Sequence, residues 1–551
     1  MGNTTPPPSR SIGHRAPLLW LIAPFMAGLM AAGPAELLAP ALPLAVALAS
    51  VVTAMVAYAR APRMWPMAIV VAMAAAGSAA YTLQRKRLPP WDTLPAREAR
   101  LTLRIERVFS RSIPRQVSGL GRIVATDEHL RELSGQRLYF SLALRRDERA
   151  PIRSAEIAAV GVLVALPRNP PVDSFDGYLA AAGMNFRFTR GRMVAEAKPA
   201  SAYHRFCATA SQRFKGILGL GIAEKRPLLA GLLRAMMLGE THELSDEQRR
   251  LFMQSGTMHL FAISGLNIAV IAGAIQAALL LLRLPRWARF GIGVSVLWIF
   301  VDITGAAPSA VRAFIMAGFL QAAFVFRQPG NPFAALVASA FVVLLVAPLQ
   351  LFSASFLMSY GIVTALLVLG LPLGDAWLER WKPWRDLPVP AWRWWHQAVA
   401  AAWRAAAIAV AIGVATTLVS LLTGVQFFGL LTPGALLANL VLIPAAMIVT
   451  LGGFVSIICG LVGFGAGAAL CNHAAAMVLL VIEWLVGASL HLPWAFVPAR
   501  YLWPWVGTVA LAALMFTLIG GYAWGWRRER GSWWPPFIIV ALTLIFGVKF
   551  G

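Results

Sequence analysis

Residues His259 to Leu282 read His-Leu-Phe-Ala-Ile-Ser-Gly-Leu-Asn-Ile-Ala-Val-Ile-Ala-Gly-Ala-Ile-Gln-Ala-Ala-Leu-Leu-Leu-Leu. The run has no Asp, Glu, Lys or Arg and exceeds the ~20 residues that cross ~30 Å of hydrocarbon, so it predicts a transmembrane helix. It follows a charged segment, Glu243-Leu-Ser-Asp-Glu-Gln-Arg-Arg250, in which Ser245 and Gln248 have the spacing of a helix-starting capping box. His259, Ser264, Gly265 and Asn267 stand at its mouth. Polar groups in hydrocarbon are costly and tend to face a cavity, a partner or a substrate path.

The rest of the chain has the same character. Of 551 residues 59% are hydrophobic and 13% charged, and the mean hydropathy is +0.68. That excludes an ordinary soluble domain. Apolar stretches at 17–38, 41–58 and 65–83 precede the opening run. Others follow at 287–306, 309–326, 332–347, 355–371, 403–423, 431–452, 454–486 and 502–525, with a last one from Trp534. The pattern predicts a polytopic α-helical membrane protein with about 11–13 transmembrane helices. Arg10 and Arg15 precede the first span, which reads as a helix held inside by positive charge rather than a cleavable signal.

Between 96 and 200 the pattern changes to short alternating runs: Leu101–Ile105, Gln136–Leu144, Ala158–Leu166 and Met184–Phe188. Period-two alternation broken by Gly, Pro and Asp predicts strands with one buried face, and a small OB-like barrel suits their number. The expected organisation is therefore N-terminal transmembrane helices over 1–95, an inserted OB-like β-barrel over 96–200, amphipathic interfacial helices over 201–256 and a channel-type membrane domain over 257–551. Three initial crossings put the barrel outside.

The net charge is +24, from 48 Lys and Arg against 24 Asp and Glu. Positive-inside loops and anionic lipid are the first account of such an excess, and a basic path for a polyanion is the next. Residues 97–198 hold 18 Lys and Arg against 11 Asp and Glu. Tyr139, Phe140, Arg137 and Arg145 are the barrel's candidate contacts to a nucleic-acid strand, with Phe186 and Phe188 as further aromatics. Cys207, Cys459 and Cys471 have neither redox nor zinc spacing, and we expect no metal and no cofactor.

Three more polar constellations lie in apolar surroundings. Thr304-Gly-Ala-Ala-Pro-Ser-Ala-Val-Arg312 offers a helix start at Pro308 and Ser309 with an arginine one turn on. Arg312 either snorkels to the interface or lines a hydrated path, where its fork of donors suits phosphate. In Ser353-Ala-Ser-Phe-Leu-Met-Ser-Tyr360, Ser355 and Ser359 share one helix face. Thr432-Pro-Gly434 breaks the backbone before Asn439 and Pro444.

Together these motifs resemble the ComEC family of competence proteins. The resemblance rests on His259–Leu266, Thr304–Ala313, Ser355–Tyr360, Leu436–Pro444 and the barrel segment Asp173–Leu179. It implies an inner-membrane channel passing single-stranded DNA from the periplasm to the cytoplasm, with the barrel on the periplasmic side. A periplasmic DNA receptor and a cytoplasmic motor or nuclease are the partners it implies. His259, Ser264, Asn267, Ser309, Arg312, Ser355, Ser359 and Asn439 are the candidate DNA path. Asn267 stands where that family usually carries a second histidine. Many relatives end in a metallo-β-lactamase-like domain; nothing between Trp526 and Gly551 resembles it, so no nuclease is expected here.

Two other readings stay open. A transporter of small molecules or lipids would also use broken helices. An intramembrane enzyme would need His259 and Ser264 on one helix face, but five residues apart they lie about 140° apart.

Overall fold

In the computed structural model the described residues are 16–33, 40–61, 63–85, 88–109, 115–145, 148–261, 263–328, 330–384, 387–490, 496–526 and 533–550. Arg10 falls outside them, as does Arg15. Three helices come first: α1 (Leu19–Ala32), α2 (Ala41–Arg60) and α3 (Trp65–Arg85). Glycines let α1 and α3 meet backbone to backbone. A Cβ on Gly28 would run into the carbonyl oxygen of Ala74, and one on Gly77 into that of Phe25. Close approach through small residues is the usual basis of helix association in lipid.

The barrel follows, built from β1 (Arg97–Val108), β2 (Gln116–Thr126), β3 (Arg137–Ala143), β4 (Glu156–Ala165), a short helix α4 (Phe175–Ala181) and β5 (Phe186–Lys198). It closes in the order β1-β2-β3-β5-β4, with β3 and β5 parallel and the other pairs antiparallel. This is a five-stranded barrel of the OB kind. Its core is Leu101, Leu103, Ile105, Leu138, Phe140, Leu142, Phe186 and Phe188, with their neighbours. The two central rings need glycine opposite them. Gly119 would place a Cβ 2.8 Å from the Phe140 ring, and Gly161 one 2.9 Å from the Phe188 ring.

The membrane domain begins with α5 (Ala202–Gly219), α6 (Pro227–Leu238) and α7 (Asp246–Gln254). It continues through α8 (Gly265–Leu281), α9 (Arg286–Ile303), α10 (Pro308–Val325), α11 (Pro332–Val346), α12 (Ala354–Ala365) and α13 (Leu371–Arg380). The last helices are α14 (Trp394–Phe428), α15 (Ala435–Leu461), α16 (Gly465–Leu490), α17 (Val506–Ala523) and α18 (Trp534–Phe546). A small sheet of β6 (Leu430–Leu431), β7 (Val497–Tyr501) and β8 (Val548–Phe550) joins three helix ends. Among the described residues nine helical segments are long and apolar enough to cross a membrane, and shorter apolar helices accompany them. The fold is thus a polytopic helical protein with a small inserted barrel.

Two differences from the sequence reading are physical. The long apolar stretch after Leu431 breaks at Val462–Phe464, where Gly463 takes φ +85°, and not near residue 453. Helix α6 is not interfacial: Leu229 to Leu233 and Ala235 to Leu238 are all buried. At twelve residues it spans roughly 18 Å at 1.5 Å per residue, too short to cross. It sits inside the bundle, where Met237 fills the space above Gly453.

The helices form two packed lobes. One apolar cluster joins α5 to α10 with α15 and α16. The other joins α1, α11, α12, α14, α17 and α18. Helix α10 stands between them, with Ala310 in the first cluster and Ile315 and Met316 against the second.

Candidate functional site

The short turns between α8 and α12 make neighbouring helices antiparallel, so α8, α10 and α12 all start at the end of the bundle that carries the barrel. Two contacts fix that end. Arg153, before β4, reaches Asp302 near the end of α9 at 2.5 Å, and Arg85 donates to the carbonyl of Ala180 in α4. The Tyr203 phenol also meets Asp302. Burial first, then that carboxylate, holds it above the ordinary tyrosine range.

Each starting helix is capped by a hydroxyl or a proline, as orphan backbone N–H groups require. Ser264 caps α8 by accepting from the Asn267 N–H, Pro308 opens α10, and Ser353 caps α12. Side chains then stitch the starts together. Ser309 Oγ donates to the Ile263 carbonyl at 2.6 Å. Arg312 crosses from one lobe to the other. It donates to the side chains of Gln350 (3.1 Å), Ser355 (2.6 Å) and Ser359 (2.9 Å) and to the Ser355 carbonyl (2.7 Å). Ser339 donates to the Arg312 carbonyl and shares a hydrogen bond with Tyr360.

Every acceptor around this guanidinium is neutral. Arg312 is 2% exposed, its Nε has no partner, and among the described residues no carboxylate pairs with it. Ser355, directly against it, is exposed. A buried cation held by neutral dipoles has no counter-charge, an arrangement suited to receive an anion.

The other candidates separate into two groups. Asn267 is 3% exposed and locked. Its Nδ2 donates to the Met236 carbonyl of α6, and Thr450 donates to its Oδ1. It ties α6, α8 and α15 together and lines nothing, which corrects its place in the candidate path. His259 is exposed with Nδ1 at 2.9 Å from the Gly256 carbonyl, so the His259–Ser264 pair is engaged elsewhere on both sides. Asn439 is half-buried and its Oδ1 finds no partner among the described residues.

In the barrel, Phe140 is 0% exposed and belongs to the core, so it contacts no strand of nucleic acid. Arg137 is spoken for by two bonds to Glu106 Oε2 and one to the Ala182 carbonyl. Arg145 is exposed. Tyr139 points the other way from Phe140 and joins a cluster that the sequence reading missed. Phe109 stacks on Tyr139 at 6.2 Å, Phe175 meets Tyr139 edge-on at 5.1 Å, and Tyr178 stacks on Phe175 at 6.1 Å. Arg107 lies over the Phe109 ring. Phe175 and Tyr178 are 47% and 42% exposed. Phe109 opens the β1–β2 connection and Phe175 and Tyr178 lie in the β4–β5 connection, the two loops that flank the ligand face of OB-folds. Just beyond α4, a Cβ on Gly183 would lie 3.1 Å from Leu349, whose neighbour Gln350 holds Arg312.

Residues 236–524 match the family described as competence protein. The chain belongs to that family. A relative of this competence protein is ComE operon protein 3 of Bacillus subtilis (strain 168), 29% identical over 142 residues. The match covers 26% of this chain and only 18% of the relative. No solved structure matches.

A second charged cluster tethers α6. Lys215 and His242 flank Glu240 at 2.5 and 3.1 Å, and Arg234 pairs with Glu243 at 3.1 Å. Burial pushes the Glu240 carboxyl up, but the hydrogen bonds from His242 and Lys215 outweigh it and hold the pKa below the usual range. A depressed folded pKa stabilises above the unfolded value of about 4.3 and is lost as pH falls through the folded one. Melting of the purified protein should therefore drop more steeply below about pH 4.3 for the wild type than for Glu240→Gln. Parallel curves for the two would remove this ion pair from the stability of α6.

Proposed function

We propose that this competence protein passes single-stranded DNA across the bacterial inner membrane, entering from the periplasmic, barrel side. The observation that carries the reading is Arg312, a buried guanidinium bridging two lobes with no carboxylate paired to it among the described residues. Phosphate supplies the missing charge. The aromatic face of the barrel gives bases a place to stack before the backbone reaches the seam, and Gly183, Leu349 and Gln350 connect the two regions. With Ser355, Ser359, Gln350 and Arg312 in contact, the seam is closed at this level. Passage requires the lobes to part there.

Charge distribution supports the orientation. At the barrel end the connections 304–307, 347–353 and 429–434 hold no charged residue, although Arg85-Lys-Arg87 before the barrel and Arg500 of β7 are basic. Those at the far end carry Arg60, Arg63, Arg283, Arg286, Arg327, Arg380, Lys382 and Arg393. Positive-inside bias favours a cytoplasmic far end. The test is uptake of labelled DNA by a competent host with the gene deleted. Internalisation should fall to background and duplex bound outside should remain. Undiminished internalisation would overturn the proposal.

A further inference from the structure

We propose that the described residues between α13 and α14 (381–384 and 387–393) and the first turns of α14 form a docking surface for anionic phospholipid headgroups on the barrel-distal face. The length of α14 points there first. Its 35 residues extend about 52 Å at 1.5 Å per residue, enough to cross the ~30 Å hydrocarbon layer and the headgroup layers on both sides, ~40–45 Å in all. The Phe428 end is fixed, since Gly429 turns the chain at φ +64° into β6, which pairs with β7. At the opposite end Trp394, Trp395, His396, Gln397, Trp403 and Arg404 precede an uncharged run from Ala405, so the polar and aromatic turns lie on the headgroup side of the apolar span.

This end is built rather than loose. Trp395 stacks on His396 at 3.6 Å, and the Trp384 ring stands edge-on to both at 5.2 and 4.9 Å. Trp403 Nε1 donates to the Trp381 carbonyl and Trp392 Nε1 to the Leu387 carbonyl. Trp394, with 81% exposure, and Trp381, with 53%, present open indole faces, the side chains enriched where acyl chains meet headgroups. Arg380, Lys382, Arg393 and Arg404 surround them, all exposed and without an ion-paired carboxylate among the described residues, while Asp375 and Glu379 of α13 already have partners. Indoles that sit at the interface and cations at phosphate depth fit a phosphodiester headgroup.

The full-length protein in nanodiscs, with phosphatidylglycerol titrated into phosphatidylcholine, tests this by native mass spectrometry and melting temperature. The wild type should retain phosphatidylglycerol and melt higher in its presence. Replacing Arg380, Lys382, Arg393 and Arg404 together by Gln should weaken retention by about tenfold or more. Replacing Arg283 and Arg327, exposed on the same face, should leave it unchanged. Equal loss in both variants, or no preference in the wild type, overturns the proposal. So does loss of oligo-dT binding with lipid retention intact, which would make the surface a nucleic-acid platform.

Discussion

Arg312→Met is expected to reduce internalisation of DNA at least a hundredfold while leaving the protein folded, abundant and as stable as the wild type. The two halves of this result have one cause. Keeping a guanidinium dehydrated costs several kcal/mol, and neutral acceptors recover only part of it. Four hydrogen bonds to Gln350, Ser355 and Ser359 hold it in place, yet no opposite charge among the described residues compensates it. A methionine, shorter but unbranched and flexible, removes the buried charge and fills the inner part of the space between α10 and α12. Stability therefore holds or rises. If Arg312 were only a cross-link between lobes, stability and uptake would fall together. Arg312→Lys should lie between: the charge stays, but a compact ammonium cannot span three side chains in the fork geometry of a guanidinium. Uptake by the three proteins, normalised to membrane abundance, alongside melting curves in detergent, separates these outcomes.

The second large effect concerns the barrel. Phe175→Ala with Tyr178→Ala should weaken single-strand binding by the full-length protein about tenfold to a hundredfold, because stacking on an aromatic ring is worth ~1–3 kcal/mol per base. The dependence on salt should not change, since no charge is lost. Arg107→Gln should do the reverse, costing less affinity but lowering the slope of log affinity against log salt by about 0.7. Phe140→Ala serves as the contrast. That ring fills the barrel above Gly119 and Gly121, so its loss should cost roughly 3–5 kcal/mol of barrel stability and disable binding indirectly. Unchanged affinity in the Phe175/Tyr178 variant, with the barrel intact, would remove the aromatic cluster from the binding face.

The membrane character, the barrel and four polar motifs were legible because each rests on a local pattern: hydropathy, period-two alternation, helix-start residues in apolar surroundings. What was not legible depends on contacts between distant residues. Alternation places Tyr139 and Phe140 on opposite faces of β3 but does not say which faces inward; the glycines of the neighbouring strand decide it. Strand β2 escaped notice because Gly119 and Gly121, which make room for Phe140, also erase its hydrophobic pattern. Phe109, Phe175 and Tyr178 come from two loops 66 residues apart at their nearest and meet only through barrel closure. Helix α6 did carry a usable signal. Apart from Arg234 it is apolar on every side from Pro227 to Leu238, the mark of an enclosed helix rather than an interfacial one. Asn267 shows the converse, a polar residue in hydrocarbon that serves packing, with both ends of its amide satisfied.

The central claim is that a DNA strand passes the seam where Arg312 meets α12. A photo-crosslinking amino acid in place of Ser359, whose hydroxyl lies 2.9 Å from the guanidinium, tests it during uptake of labelled DNA. A crosslink to the incoming single strand is expected only while transport proceeds. A crosslink at Tyr178 in the barrel with none at 359, in cells that still internalise DNA, would place the route elsewhere and contradict the claim.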